Sequence, residues 1–399
     1  MSSCTPFDTF VVKIASQCNL NCSYCYMYNL QDDTYKNQPA LIDEEVAKAL
    51  GKKISSHASS HDLRAVHIIF HGGEPLLIGK KKFKKLVNIL KEEITNTVVV
   101  FSVQSNGTLI TKEWSKLLVE LKIPIGISID GPKNYNDIHR LHKNGTGSFD
   151  KTLNGIRVLQ KQDQNSSVFG AVMAVVNTDI PPIEMFQFWK FLDVESFDLS
   201  LPHANIEFPP KVGKISYGKW LIEFFDLWFE QNDPRLRVRY FENILRTMFG
   251  FNKSTDNIGG KPVSVVVVET DGGIEPTDAF KCCENGLTKV GLNVLEDEFD
   301  ELYTRQFVEK LQIGSKSLCQ KCQSCELLNV CGGGYMPHRY SKKNGFDNPS
   351  IYCDDLYELI HHMRQRVVKT LPEEVQRQIP KFVQTKKNDH PKFIPIVEV

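Results

Sequence analysis

Phe10-Val-Val-Lys-Ile-Ala-Ser-Gln-Cys18-Asn-Leu-Asn-Cys22-Ser-Tyr-Cys25 runs an apolar strand pattern straight into three cysteines spaced C-x3-C-x2-C. Thiolates are soft ligands, and three of them satisfy all but one iron of a [4Fe-4S] cubane. A metal site one ligand short is built for reaction rather than support. Zinc is the alternative occupant of Cys18, Cys22 and Cys25. It would want a further Cys or His close by, and residues 26–55 contain neither.

Outward from this loop the chain alternates strand-like and helical runs. Strands are predicted at Phe10–Ser16, Ala65–Phe70, Val98–Val103, Pro124–Ile129, Val168–Val176 and Ser196–Leu201. Helices are predicted between them at Ile42–Ser56, Lys80–Ile94, Lys112–Leu121, Phe149–Gln162 and Ile183–Leu192. Strands that alternate with helices imply a parallel α/β sheet of right-handed crossovers, closing as a complete or partial (β/α) barrel. Such folds carry their chemistry on the loops after the strands. The unusual residues fall there: Cys18–Cys25, His71–Pro75, Ser105–Thr108 and Asp130–Pro132.

Further along, 216–231 and 239–250 read as helices, and Val263–Glu269 with Ile274–Pro276 reads as a hairpin around Asp271-Gly272-Gly273. The predicted domains are 1–251, 252–365 and a C-terminal tail over 366–399, Lys-, Gln- and Pro-rich from Pro372. Forty-eight basic residues balance forty-eight acidic ones, so no global field favours nucleic acid or an anionic membrane. With neither a membrane-length apolar run nor a secretory start, the expected location is the cytoplasm. Eleven cysteines in a reducing compartment point to metal ligation rather than disulfides.

The segment Cys18–Cys25 resembles the signature of radical SAM enzymes, and the likeness continues to about residue 365. The resemblance implies a partial (β/α)6, TIM-like barrel with a small cysteine-rich SPASM-like region after it. It also implies that S-adenosylmethionine (SAM) completes the open iron. Tyr24 would then lie near the adenine, and Gly72, Gly73 and Glu74 of a GGEP segment would meet the methionine amino group. Gln104, Asn106, Ser128 and Asp130 fall in later SAM-contacting segments, and Arg140 stands where related enzymes set an arginine against the SAM carboxylate. Taken singly, each has a plainer reading as a turn or surface residue. Their order at successive strand ends favours the site.

A second group, Cys322, Cys325, Cys331 and Cys353, is spaced C-x2-C-x5-C-x21-C and leaves no iron open. Four thiolates also suit a zinc knuckle. The spacing resembles the outer auxiliary cluster of SPASM enzymes, which implies a [4Fe-4S] cluster for electron transfer or support. Where two-cluster relatives carry further cysteines, this chain has Thr277 and Tyr335, so one auxiliary cluster is expected, with Cys4, Cys282, Cys283 and Cys319 unassigned.

The runs Cys331–Tyr340 and Asn344–Cys353 resemble ribosomal-peptide maturases that form three-residue cyclophanes. That likeness implies a 5′-deoxyadenosyl radical taking a side-chain β-hydrogen from a ribosomally made precursor peptide, followed by a carbon-carbon bond to an aromatic ring. The expected reductant is a flavodoxin or ferredoxin. Asp271, Glu275 and Asp278 are weak candidates for the base. The alternatives are a sulfatase-type, formylglycine-generating maturase and, outside enzymes, an iron-sulfur electron carrier or zinc-binding module.

Overall fold

The computed structural model describes residues 4–162, 168–251, 256–305 and 307–374. The six predicted strands form: β1 (Thr9–Ala15), β2 (Ala65–Gly72), β3 (Val98–Ser105), β4 (Ile125–Ser128), β5 (Phe169–Val175) and β6 (Ser196–Ser200). They pair in parallel and in sequence order. A sheet wound in one direction by helical crossovers is an open part of a barrel rather than a doubly wound sheet. The crossovers are α1 (Glu44–Ser60), α2 (Lys80–Glu93), α3 (Lys112–Leu121), α4 (Lys133–His139) with α5 (Phe149–Gln162), and α6 (Pro182–Leu192).

Local chemistry explains the boundaries. Asp43 caps α1 by accepting from Val46 N at 2.8 Å, with Glu44 and Glu45 in the first turn against the helix dipole. The helix buries Val46, Ala47, Leu50, Ile54 and Ala58, and it runs a turn beyond the predicted Ser56. Thr111 caps α3 in the same way, accepting from Trp114 N at 3.3 Å. Phe10, Val12, Ile14, Val66, Ile68 and Phe70 bury one sheet face.

The chain forms two compact units, which cross the 251/252 division drawn from the sequence. The described residues of 4–162, 168–175, 194–203, 263–305 and 307–312 make the first. The expected hairpin forms from Val265–Val268 and Gly273–Glu275, but Val265–Val268 also pairs in parallel with β1, Thr9 to Val265 through Val12 to Val268. A strand hydrogen-bonded to β1 extends the barrel sheet, so 263–312 belongs with the core and not with the cysteine-rich segment.

The hairpin is locked by charge. Lys281, 1% exposed, sets Nζ 3.0 Å from Glu269, 3.1 Å from Glu275 and 3.8 Å from Asp32. Burial and Glu275 push the Glu269 carboxyl up, and Lys281 opposes them.

The second unit holds α6, α7 (Tyr217–Phe229), α8 (Arg239–Met248) and the helix Cys353–Thr370. Its core is aromatic: the Trp220 and Phe224 ring centroids stack at 5.1 Å, and Phe225 meets Phe241 edge-on at 5.3 Å. Trp220 Nε1 donates to Ile180 O at 2.7 Å, pairing the one polar atom of that ring. The last helix continues to Thr370, past the predicted tail start at 366, while 375–399 lie outside the described residues. Among the described residues no helix is long and apolar enough to cross a membrane.

Lys281→Met is expected to cost about 3–5 kcal/mol, because it strands buried carboxylates without their cation. Denaturant unfolding reads this, and a loss below about 1 kcal/mol would show that the network does not hold the hairpin.

Candidate active site

All three cysteines of the first motif lie on the loop after β1, which is fixed from several sides. Leu20 N points at Cys18 Sγ (3.4 Å), Cys25 N donates to Cys22 O (3.0 Å), and the Asn29 amide donates to Cys22 O (2.8 Å). Gly73 N and Glu74 N donate to Ala15 O and Gln17 O, each at 2.9 Å. A Cβ on Gly72 would strike the Ala15 carbonyl, and one on Gly73 would strike Gln17 O and the Tyr28 hydroxyl. Gly72 also has φ 137°, a conformation open to glycine. The glycines therefore let the end of β2 dock against the cysteine loop.

Glu74, fully buried, is turned onto the protein. It accepts from Ser105 Oγ (2.8 Å), Asn106 N (2.8 Å) and Leu76 N (3.1 Å), tying the β2 and β3 loops together. Burial raises its pKa and these donors oppose the rise. Asn106 Nδ2 donates to Asn19 Oδ1 at 2.8 Å and faces Cys18 Sγ at 3.8 Å. Gln104 donates to Ser128 Oγ at 2.9 Å. Beside Cys22, Tyr24 donates to Asp130, Asp130 accepts from Val175 N at 3.1 Å, and Arg140 Nη1 donates to Tyr24 Oη at 2.9 Å. The expected SAM-contacting residues thus converge on one rim.

The donor set fits a cluster and an anionic ligand. Burial pushes the Cys18 thiol up to about 12 and Cys25 to about 11, and raises Cys22 as well, with the three sulfurs coupled electrostatically. Buried thiols of this kind become thiolates when they meet a cation. Arg140 is buried with its Nε unpartnered, an available donor for a carboxylate.

Inside the barrel the structure adds residues that the motifs missed. The β1–β2 register sets Lys13 opposite His71, and Lys13 Nζ lies 3.2 Å from His71 Nδ1. Lys13, 0% exposed, pairs with Asp278, which also accepts from Tyr26 Oη at 2.8 Å. Burial would lift the Asp278 carboxyl, but Lys13, His71 and Tyr26 hold it well below the usual carboxylate range. His203 packs on Tyr26 with ring centroids 4.7 Å apart. A lysine in mid-strand was the available signal for this group. Of the three base candidates, Asp278 lies in this interior group, whereas Glu275 is taken by Lys281 and Lys289 and Asp271 by Gln38 and Gly273 N.

In the second unit, Cys322, Cys325, Cys331 and Cys353 come close enough to perturb one another, and Cys319 joins them, within hydrogen-bonding reach of Cys322. Burial pushes Cys322 up to about 12 and Cys331 to about 11. Gly332, Gly333 and Gly334 all adopt positive φ (61°, 80° and 63°), which turns the chain back immediately after Cys331. Arg339 is buried facing Cys322, Cys319 and Cys331. Tyr335 packs its ring edge-on against His338, centroids 5.3 Å apart.

Residues 12–189 match the radical SAM superfamily. They are a radical SAM domain. The chain is 26% identical over 373 residues to a cysteine-type anaerobic sulfatase-maturating enzyme of Clostridium perfringens, covering 91% of this chain and 98% of that protein. It is 25% identical over 390 residues to a serine-type anaerobic sulfatase-maturating enzyme of Bacteroides thetaiotaomicron, covering 90% and 89%. The solved structure of anSMEcpe with bound AdoMet and Cp18Cys peptide superposes with TM-score 0.76 at 25% identity, covering 93% of this chain and 99% of that one. The chain is an enzyme that carries a radical SAM domain, the domain whose chemistry uses SAM and an iron-sulfur cluster.

Desolvation lowers the pKa of both His71 and His203 from 6.5 to about 4. The unfolded chain therefore binds more protons between these values, and stability falls as pH drops from 6.5 toward 4 while staying flat above 6.5. Asp278 is also depressed, so it adds a loss in the same direction only below the ordinary carboxylate range. His71→Gln is expected to flatten the pH dependence of the unfolding midpoint; an unchanged slope would contradict the buried neutral imidazole.

Proposed function

We propose that this radical SAM enzyme matures a ribosomally made peptide by oxidising a side-chain β-carbon and joining it to an aromatic ring two residues earlier. The observation that carries the crosslink reading is Thr277 and Tyr335 at positions where the two-auxiliary-cluster maturases it resembles have thiolates. A single auxiliary cluster, held by Cys322, Cys325, Cys331 and Cys353, is part of the same reading, as is a flavodoxin or ferredoxin reductant. The similarity to sulfatase-maturating enzymes over almost their whole length favours a second reading, formylglycine formation.

When bound at Cys18, Cys22 and Cys25, the cluster and SAM supply a 5′-deoxyadenosyl radical able to take an unactivated hydrogen. Arg140, with its free Nε, would take the SAM carboxylate, and Tyr24, held by Asp130 and Arg140, would line the adenine side. Gly72, Gly73, Glu74 and Asn106 keep the cysteine loop in register with these groups. Asp278 is the proton acceptor. A carbon-carbon bond forms as the β-carbon's hydrogen goes to the deoxyadenosyl radical and the ring's proton to Asp278, while the ring's remaining electron would go to the auxiliary cluster that Cys322, Cys325, Cys331 and Cys353 would hold. A ring proton on an oxidised adduct is strongly acidic, so a carboxylate held low by Lys13 and Tyr26 is base enough.

Anaerobic enzyme, SAM and dithionite should be incubated with two peptides: one with aromatic-x-x tripeptides from a neighbouring reading frame, the other a sulfatase segment carrying the target cysteine. The first should lose two hydrogens, with fragmentation blocked between the joined residues. A hydrazine-reactive aldehyde on the second, with the first untouched, would replace the crosslink by formylglycine. Asp278→Asn should keep deoxyadenosine formation while lowering product by about 10²–10⁴-fold.

A further inference from the structure

The last turn of α1 carries His57, and His61 follows four positions on as its C-cap residue. Asp300, on the helical turn Phe299–Thr304, reaches both. His57 Nδ1 lies 2.9 Å from one carboxylate oxygen, and His61 Nε2 lies 3.0 and 2.9 Å from the two. One donor atom from each residue can be chosen so that all three lie within 4.8 Å of one another. A tetrahedral ion with bonds of about 2.0–2.1 Å spaces its ligand atoms by roughly 3.3 Å, a little more than the present contacts of the carboxylate with the two rings.

The buried ring of His57 decides between readings. Its Nε2 is 3.1 Å from the Phe7 carbonyl, which only accepts, so Nε2 carries the proton and a neutral ring turns the Nδ1 lone pair toward Asp300. A lone pair facing a carboxylate at 2.9 Å needs a positive centre between them, either a proton or a metal ion. A histidine whose second nitrogen donates to a backbone carbonyl is oriented as metal ligands are. The rings of Phe7, Phe10 and Phe299, with centroids 5.9, 6.2 and 5.9 Å from that of His57, hold it in place. The C-terminal end of α1 adds the partial negative charge of the helix dipole. Lys53, one turn earlier, is occupied by Glu298 at 2.6 Å.

We propose that His57 Nδ1, His61 Nε2 and the Asp300 carboxylate form a structural site for one zinc-class divalent cation, with water in the fourth position. His61 and Asp300 are partly exposed, which gives the ion and its water access. The crossover α1 ends just before β2 begins, at the sheet end opposite the cysteine loop, so the ion joins α1 to Phe299–Thr304 and stays out of the radical chemistry.

Holoenzyme with its clusters loaded, incubated with zinc chloride and desalted, should retain one further zinc per chain and unfold at a higher temperature. X-ray absorption at the zinc edge should show nitrogen and oxygen at about 2.0–2.1 Å. His61→Ala and Asp300→Asn should each lose the zinc and the thermal shift while deoxyadenosine formation stays unchanged. Sulfur neighbours at about 2.3 Å, equal zinc in the variants, or no retained zinc would overturn the site.

Discussion

Two hydrogen bonds, from Gly73 N to Ala15 O and from Glu74 N to Gln17 O, seat the end of β2 against the cysteine loop. No side chain fits at either glycine, and the next residue, Glu74, ties the same junction to β3 through Ser105 and Asn106. Each of these hydrogen bonds is worth only about 1 kcal/mol, those to the carboxylate somewhat more. Their value is geometric. They hold Cys18, Cys22 and Cys25 on a loop that would otherwise have no regular structure to fix it, and the register between β1 and β2 then sets Lys13 beside His71.

Charge divides the interior by task. Lys281 neutralises carboxylates at the hairpin, where burial leaves no room for an unpaired ion. Lys13 does something different: it keeps Asp278 ionised close to two imidazoles that desolvation keeps neutral. One arrangement braces the extra strands on β1, and the other presents a carboxylate to the barrel interior.

The sequence pattern located the strands and the rim because both are local: apolar runs, caps and the C-x3-C-x2-C spacing lie within short windows. Arg140 and Asp130 were found through a family likeness, and the structure adds that they meet over Tyr24. Long-range pairings were not legible. Val265–Val268 reads as one arm of a hairpin whether or not it also pairs with β1, and that pairing moves the unit boundary. Lys13 and Asp278 are 265 positions apart, and Cys319 joins its neighbours only through the fold. Glu74, expected at the methionine amino group, has its carboxylate engaged by protein donors, a use its motif does not reveal.

The central claim is that Cys18, Cys22 and Cys25 hold a cluster with one iron open to SAM, separate from a closed cluster at Cys322, Cys325, Cys331 and Cys353. Iron analysis with Mössbauer spectroscopy of anaerobically reconstituted protein, with and without SAM, tests it directly. The account requires about eight irons per chain, about four of them lost in Cys22→Ala, with SAM perturbing only the cluster that this substitution removes. Full iron retention in Cys22→Ala, or spectra indifferent to SAM, would contradict it.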